Sequence, residues 1–150
     1  MKKIILFLSI LVLIPTDLKA SEKDIFLSLK NNKVHVRQGP GFNYPIKFIY
    51  TKKYIPLKVI DSHENFKKII DFSKNSGWIH TTQLSKKRSA INIKKNSIIF
   101  KKPEIYSKPL ARIEVGKLII IKKCKKLWCK INANKFTGWI KKEYLWGNVK

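Results

Sequence analysis

The sequence predicts an all-β protein made of two small barrels in tandem. Three observations point there. Beyond residue 20 the apolar residues fall in short runs rich in β-branched and aromatic side chains, punctuated by Gly, Pro, Asn, Asp and Ser. No window of about 11 to 18 residues carries helical periodicity. And the chain repeats itself: Gly77-Trp78-Ile79-His80, followed by Leu84, returns as Gly138-Trp139-Ile140-Lys141, followed by Leu145.

The first 20 residues, MKKIILFLSILVLIPTDLKA, stand apart. Lys2 and Lys3 lead an apolar run from Ile4 to Ile14 that only Ser9 interrupts. Pro15 ends the run, and Ala20 is a small residue suited to cleavage. This is the pattern of a secretory signal peptide, and the run is too short to span a bilayer. An uncleaved N-terminal anchor is the alternative. The expected product is exported, periplasmic or extracellular, and starts near Ser21. About 130 residues then remain, enough for one ordinary domain or two small ones. The repeat divides them into a first barrel over 21–88 and a second over 89–150, joined near Lys86 to Asn96.

Within the first unit, Ile25 to Leu29, Lys33 to Arg37, Ile46 to Tyr50, Leu57 to Ile60, Phe66 to Phe72 and Trp78 to His80 read as strands. Val34 and Val36 share one face of their strand, His35 and Arg37 the other. The repeat extends along the chain. Phe66 and Ile69 match Trp128 and Ile131 at an offset of 62, and Pro45-Ile46 matches Pro109-Leu110 at 64. At 64, Val34 and Val36 also meet Ile98 and Phe100. A period near 60 residues is too long for a solenoid unit.

The segment VHVRQGPGFNYP, residues 34–45, invites two readings. A phosphate-binding loop needs a following helix and a lysine, and neither is present. A turn fits better. Pro40 fixes its own φ, and Gly41 after it suits the left-handed position of a type II turn.

The net charge is +24. Lys2, Lys3 and Lys19 against Asp17 account for +2 of it, leaving +22 on the expected exported chain. Such a charge suits anionic partners, among them lipid headgroups, wall polymers and nucleic acid. Yet only Arg37, Arg88 and Arg112 of the 33 basic residues are arginine, the residue that phosphate and base recognition favour. Lysine, isoleucine and asparagine are abundant together, as an A/T-rich coding sequence would make them. An exported location argues against nucleic acid.

Cys124 and Cys129 are the only cysteines and flank four residues at a hairpin. In an exported protein the first reading is a disulfide, with about 2 kcal/mol of chain-entropy stabilisation. Free thiols remain open. A zinc site needs more ligands and a cysteine nucleophile needs a paired histidine. His35 and His80 occupy outward strand positions and His63 a polar turn, all three read as solvated. The nine acidic residues are scattered. No catalytic constellation, metal site or cofactor is expected. The four tryptophans suit either barrel cores or a surface groove.

Taken together, V-x-V-R-x-G-P-G-x-x-Y-P-I, G-W-I-H and S-K-K-R-S-A-I resemble the bacterial SH3-like domain family. The second half adds I-Y-S-K-P, V-G-K at 115–117, W-C at 128–129 and G-W-I…L-W-G at 138–147. The resemblance covers about residues 25 to 147 and implies two five-stranded barrels forming a non-catalytic binding or targeting module of the cell envelope. Its family often has tryptophan where this chain has Phe66. Peptidoglycan, or an envelope protein or peptide, is the partner implied. The residues placed in an aromatic binding groove are Phe42, Tyr44, Tyr50 and Trp78, with Arg37 as a charge contact. Lys101-Lys102-Pro103-Glu104-Ile105 is expected to replace Arg37-Gln38-Gly39-Pro40-Gly41, so the loop motif is expected in the first barrel alone.

Overall fold

The computed structural model describes residues 24–150. The expected signal peptide, residues 1–20, lies outside the described residues. Fourteen strands form two seven-stranded antiparallel sheets. The first contains β1 (Ile25–Leu29), β2 (Val34–Arg37), β3 (Ile46–Tyr50), β4 (Pro56–His63), β5 (Phe66–Ile70), β6 (Ser76–His80) and β7 (Leu84–Ser85). The second contains β8 (Ser89–Asn92), β9 (Ser97–Phe100), β10 (Pro109–Ile113), β11 (Leu118–Lys125), β12 (Trp128–Ala133), β13 (Phe136–Lys141) and β14 (Leu145–Gly147). A single 3-10 turn precedes β7 and another precedes β14.

Strand order is the same in both: β3-β2-β6-β5-β4-β1-β7 and β10-β9-β13-β12-β11-β8-β14. Each sheet wraps on itself. Leu29 on β1 and Leu57 on β4 share one buried cluster with Val34 and Val36 on β2, Ile69 on β5 and Ile79 on β6. Such distant strands of a sheet share a core only when it curls into a barrel. Ile99, Ile119, Ile121, Ile131, Ile140 and Leu145 fill the second core. Register shifts between Val59 and Asp61, and between Ile121 and Lys123, mark bulges in the two longest strands. A bulge bends a strand and increases its twist, which barrel closure needs.

Both cores are aliphatic, and the four tryptophans are half-buried. Core packing by tryptophan is therefore not how these barrels are built. Trp146 instead joins them. Its ring meets Phe26 of β1 edge-on at 5.1 Å and lies 6.0 Å from Phe72. The expected linker, Lys86 to Asn96, contains strand β8, its four residues all buried. Only Lys86, Lys87 and Arg88 connect the sheets.

The repeat register also needs correction. Trp78 pairs with Arg37, and Trp139 pairs with Phe100. Arg37 therefore corresponds to Phe100, and Val36 to Ile99, at an offset of 63 and not 64. Ile99 is fully buried, whereas Ile98 and Phe100 are half-buried on the other face. The sequence comparison slipped by one because β9 is apolar on both faces, and a one-residue slip exchanges the faces of a strand.

With the register corrected, the Leu29 and Val34 pair of the first core becomes Asn92 and Ser97. Asn92 is fully buried, and its amide donates to Glu114 O at 2.8 Å and Lys94 O at 2.9 Å. Its Oδ1 accepts from Ser97 Oγ at 2.9 Å. A buried amide with its partners in place is tolerated; one that loses them is costly. Cys124 and Cys129 are disulfide-bonded and sit directly opposite each other on β11 and β12. Lys125 pairs with Trp128, so the reversal is a two-residue turn, Lys126-Leu127, tighter than the four-residue loop expected.

Asn92→Ala should destabilise the protein by about 2 kcal/mol in urea unfolding, since it opens space and strips the Ser97 hydroxyl of a buried partner. A loss below about 0.5 kcal/mol would contradict this account of the second core.

Candidate functional site

The β2–β3 loop, residues 38–45, folds over the outer face of the first barrel. Gln38 N–H donates to Pro45 O at 3.1 Å and closes its base. Gly41 N–H donates to Gly39 O at 3.0 Å, making a three-residue turn centred on Pro40. Gly41 does not take a positive φ, so the expected type II turn is absent. The glycines are needed for another reason. The Tyr44 ring lies against both, and a β-carbon on Gly39 would collide with it.

Arg37 fixes this loop from below. Its Nη1 donates to Phe42 O at 3.0 Å and Tyr44 O at 2.7 Å. Its guanidinium also lies 5.5 Å from the Phe42 ring centre. Phe42 in turn packs on Phe66 at 5.2 Å and His80 at 5.0 Å, and Phe66 meets His80 edge-on at 5.0 Å. Phe66 is only 6 % exposed, yet it is buried beneath this loop and not in the barrel core. His80 Nδ1 accepts from Thr82 N–H, which caps the 3-10 turn Thr81–Gln83. With Nδ1 accepting, a neutral ring carries its proton on Nε2.

These side chains line a groove of about 320 Å³ together with Lys33, His35, Thr82 and Gln83. Its floor is aromatic, its rim cationic or imidazole-bearing, and no carboxylate lines it. Such a surface suits a ligand that combines apolar or planar groups with negative charge.

Of the residues expected in one groove, the structure brings Arg37 and Phe42 together there. Tyr44 braces the loop but does not line the groove. Trp78 lines a separate shallow depression with Gln38, Lys47 and Lys68, which Arg37 also borders. Tyr50 lies elsewhere. Its hydroxyl donates to Asp71 Oδ2 at 2.9 Å, and Asp71 also accepts from the Asn75 backbone and side-chain amides. Burial, and then the Asp71 carboxylate it bonds, push the Tyr50 phenol well above the usual tyrosine range. Tyr50 thus anchors the turn after β5.

Sequence reasoning missed Phe66, His80, His35 and Lys33 as groove residues. His80 had a usable signal: Gly77 and Ile79 face the core, so Trp78 and His80 must face outward. Phe66 sits directly opposite His80 on β5, a pairing that only the sheet register reveals.

Comparison with known families settles the fold's kinship. The family model described as bacterial SH3 domain matches residues 30–86 and again 94–147. The chain belongs to the bacterial SH3 domain family. Two such domains in tandem, each a binding domain by family, account for both sheets. Among solved structures, NlpC2 from Trichomonas vaginalis is 14 % identical over 82 % of this chain and 48 % of its own, with a TM-score of 0.38. NlpC1 from the same organism is 13 % identical over 84 % of this chain and 46 % of its own, with a TM-score of 0.37. The chain spans about half the length of either. A search of the curated proteins found no match.

The two SH3 domains share the loop backbone. In the second, Lys101 N–H donates to Lys108 O, Glu104 N–H to Lys102 O and Ser107 N–H to Glu104 O. Pro103 therefore stands where Pro40 does, and the loop is retained. The expected replacement of the motif was read one position out of register. What differs is the side chains: Phe100 replaces Arg37, Ile105 replaces Phe42 and Ser107 replaces Tyr44.

Tyr50→Phe should cost about 1 kcal/mol at neutral pH through the lost hydrogen bond. A phenol whose folded pKa is raised stabilises fully below the unfolded value near 10, and that stability falls as pH rises past it. Wild type should therefore lose stability above about pH 10 more steeply than Tyr50→Phe. Parallel pH profiles would show that Asp71 does not hold this proton.

Proposed function

We propose that this protein is an exported module of the bacterial cell envelope whose first SH3 domain binds the peptide part of peptidoglycan in the Phe42–Phe66–His80 groove. The observation that carries this reading is the pairing of an aromatic floor with a cationic rim that contains no carboxylate. Stem peptides end in carboxylates and carry short apolar side chains. The carboxylates match Lys33 and the histidines, and the apolar groups match the exposed Phe42 ring, which Phe66 supports from beneath. Arg37 works as a positioning residue, since its two bonds to loop carbonyls keep Phe42 over the groove.

Membership in the bacterial SH3 domain family supports a binding role, and the N-terminal apolar segment supports export. The role proposed is recognition or targeting without chemistry: the groove needs no cofactor, and its two histidines serve as polar contacts. An envelope protein presenting a peptide of the same character would satisfy the same groove.

Sedimentation with purified sacculi tests this. Wild type should pellet, and Phe42→Ala should bind about tenfold more weakly, a loss of ~1.4 kcal/mol. Phe42 is 67 % exposed, so its truncation leaves the core intact. Wild type remaining in the supernatant, or Phe42→Ala pelleting like wild type, would sink the proposal.

A further inference from the structure

The β11–β12 hairpin of the second domain carries a surface that peptide recognition in the first domain does not use. Its turn holds Lys126 and Leu127, with Lys125 and Trp128 paired beneath them. Leu127 is 75 % exposed at the tip. The hairpin at the same place in the first domain, β4–β5, has an equivalent backbone. Glu64 takes φ 45° where Lys126 takes 52°. The side chains differ at every tip position: His63, Glu64, Asn65 and Phe66 become Lys125, Lys126, Leu127 and Trp128. Below them Ser62 and Lys67, joined by a hydrogen bond of 3.0 Å, become the Cys124–Cys129 disulfide. A coding bias toward lysine explains neither an exposed leucine at a turn nor the disulfide beneath it.

Charge is concentrated at the same end. Lys123 stands directly opposite Lys130, where the first domain places Asp61 opposite Lys68. Like charges opposed across strands are unfavourable. Lys142 N–H donates to Leu127 O at 2.8 Å, which brings the Lys141-Lys142 run beside the tip. Among the described residues the ion pair made by this cluster is Lys141 with Glu143 at 3.6 Å. The uncompensated positive charge and the apolar tip occupy one end of one disulfide-held hairpin.

We infer that the second SH3 domain docks on a phospholipid bilayer bearing anionic headgroups, with Leu127 and the exposed edge of Trp128 entering the boundary between headgroups and acyl chains. Lysines favour an anionic membrane surface, and their attraction is screened by salt. Tryptophan and lysine side chains both suit an interface, each with an apolar body and a polar end. Leucine separates this surface from one that binds a soluble polyanion, which gains nothing from an apolar tip. The cross-strand disulfide holds the tip in place as it meets the surface.

Vesicle co-sedimentation tests the inference, using residues 21–150, which contain both complete sheets and omit the apolar N-terminal run. Wild type should bind vesicles of phosphatidylcholine with about one-third phosphatidylglycerol, bind pure phosphatidylcholine far less, and lose affinity steeply as salt is raised. Leu127→Asn installs the first domain's own turn residue, so folding is preserved. It should weaken binding about tenfold while keeping the salt dependence. Lys125→Glu with Lys126→Glu should abolish it. Absence of binding to the anionic vesicles at low salt would overturn the inference. So would Leu127→Asn binding as wild type does, with inorganic polyphosphate displacing both, which would mark a site for soluble polyanions. Phe42→Ala should leave vesicle binding unchanged, so this test and the sacculus test fail independently.

Discussion

Each barrel depends on one close approach of two strands. At Gly77 a β-carbon would collide with Val36 and lie 2.9 Å from Arg37 O; at Gly138 it would lie 2.6 Å from both Ile99 Cγ2 and Phe100 O. Only glycine lets β6 meet β2, and β13 meet β9, across the point where the sheet folds back on itself. That meeting fixes the register of Arg37 on Trp78 and of Phe100 on Trp139. The β5–β6 register sets His80 opposite Phe66, and the β2–β6 meeting brings Arg37, with the loop that Phe42 and Tyr44 crown, beside them.

The two domains keep this frame and differ in what they display on it. In the first, the outer aromatic Phe66 is covered by the loop, and the ring that covers it is itself exposed. The loop is held by a charged donor, Arg37, whose bonds to carbonyls are stronger than neutral ones. In the second, Phe100 takes the arginine's place and packs edge-on against Trp128 at 5.8 Å. Its outer face is left to tryptophan and lysine. Trp146, held between Phe26 and Phe72, packs the second domain against the first.

The architecture was legible because its signals are local. Short β-branched runs gave strands, the Gly-Trp-Ile repeat gave duplication, and the cysteine spacing in a hairpin gave the disulfide. Of the candidate groove, only Arg37 at the end of β2 and Phe42 in the loop after it were legible, because they lie close together in sequence. Phe66, His80 and Lys33 converge from β5, β6 and the β1–β2 turn, and such convergence depends on register. The one-residue slip in aligning β2 with β9 shows why. Ile98, Ile99 and Phe100 are all apolar, so the pattern does not say which of them faces inward. Tyr50 and Trp78 are aromatics on expected strands, but the Tyr50 hydroxyl is bonded to Asp71 and Trp78 faces the neighbouring depression.

The central claim is that the Phe42–Phe66–His80 groove is where the first domain meets its ligand. Amide chemical shifts during titration with soluble peptidoglycan fragments test it most directly. The account predicts saturable shifts clustered at Phe42, Phe66, His80 and Thr82, with the second domain's hairpin unmoved. Shifts confined to other surfaces, or none at saturating fragment, would contradict it.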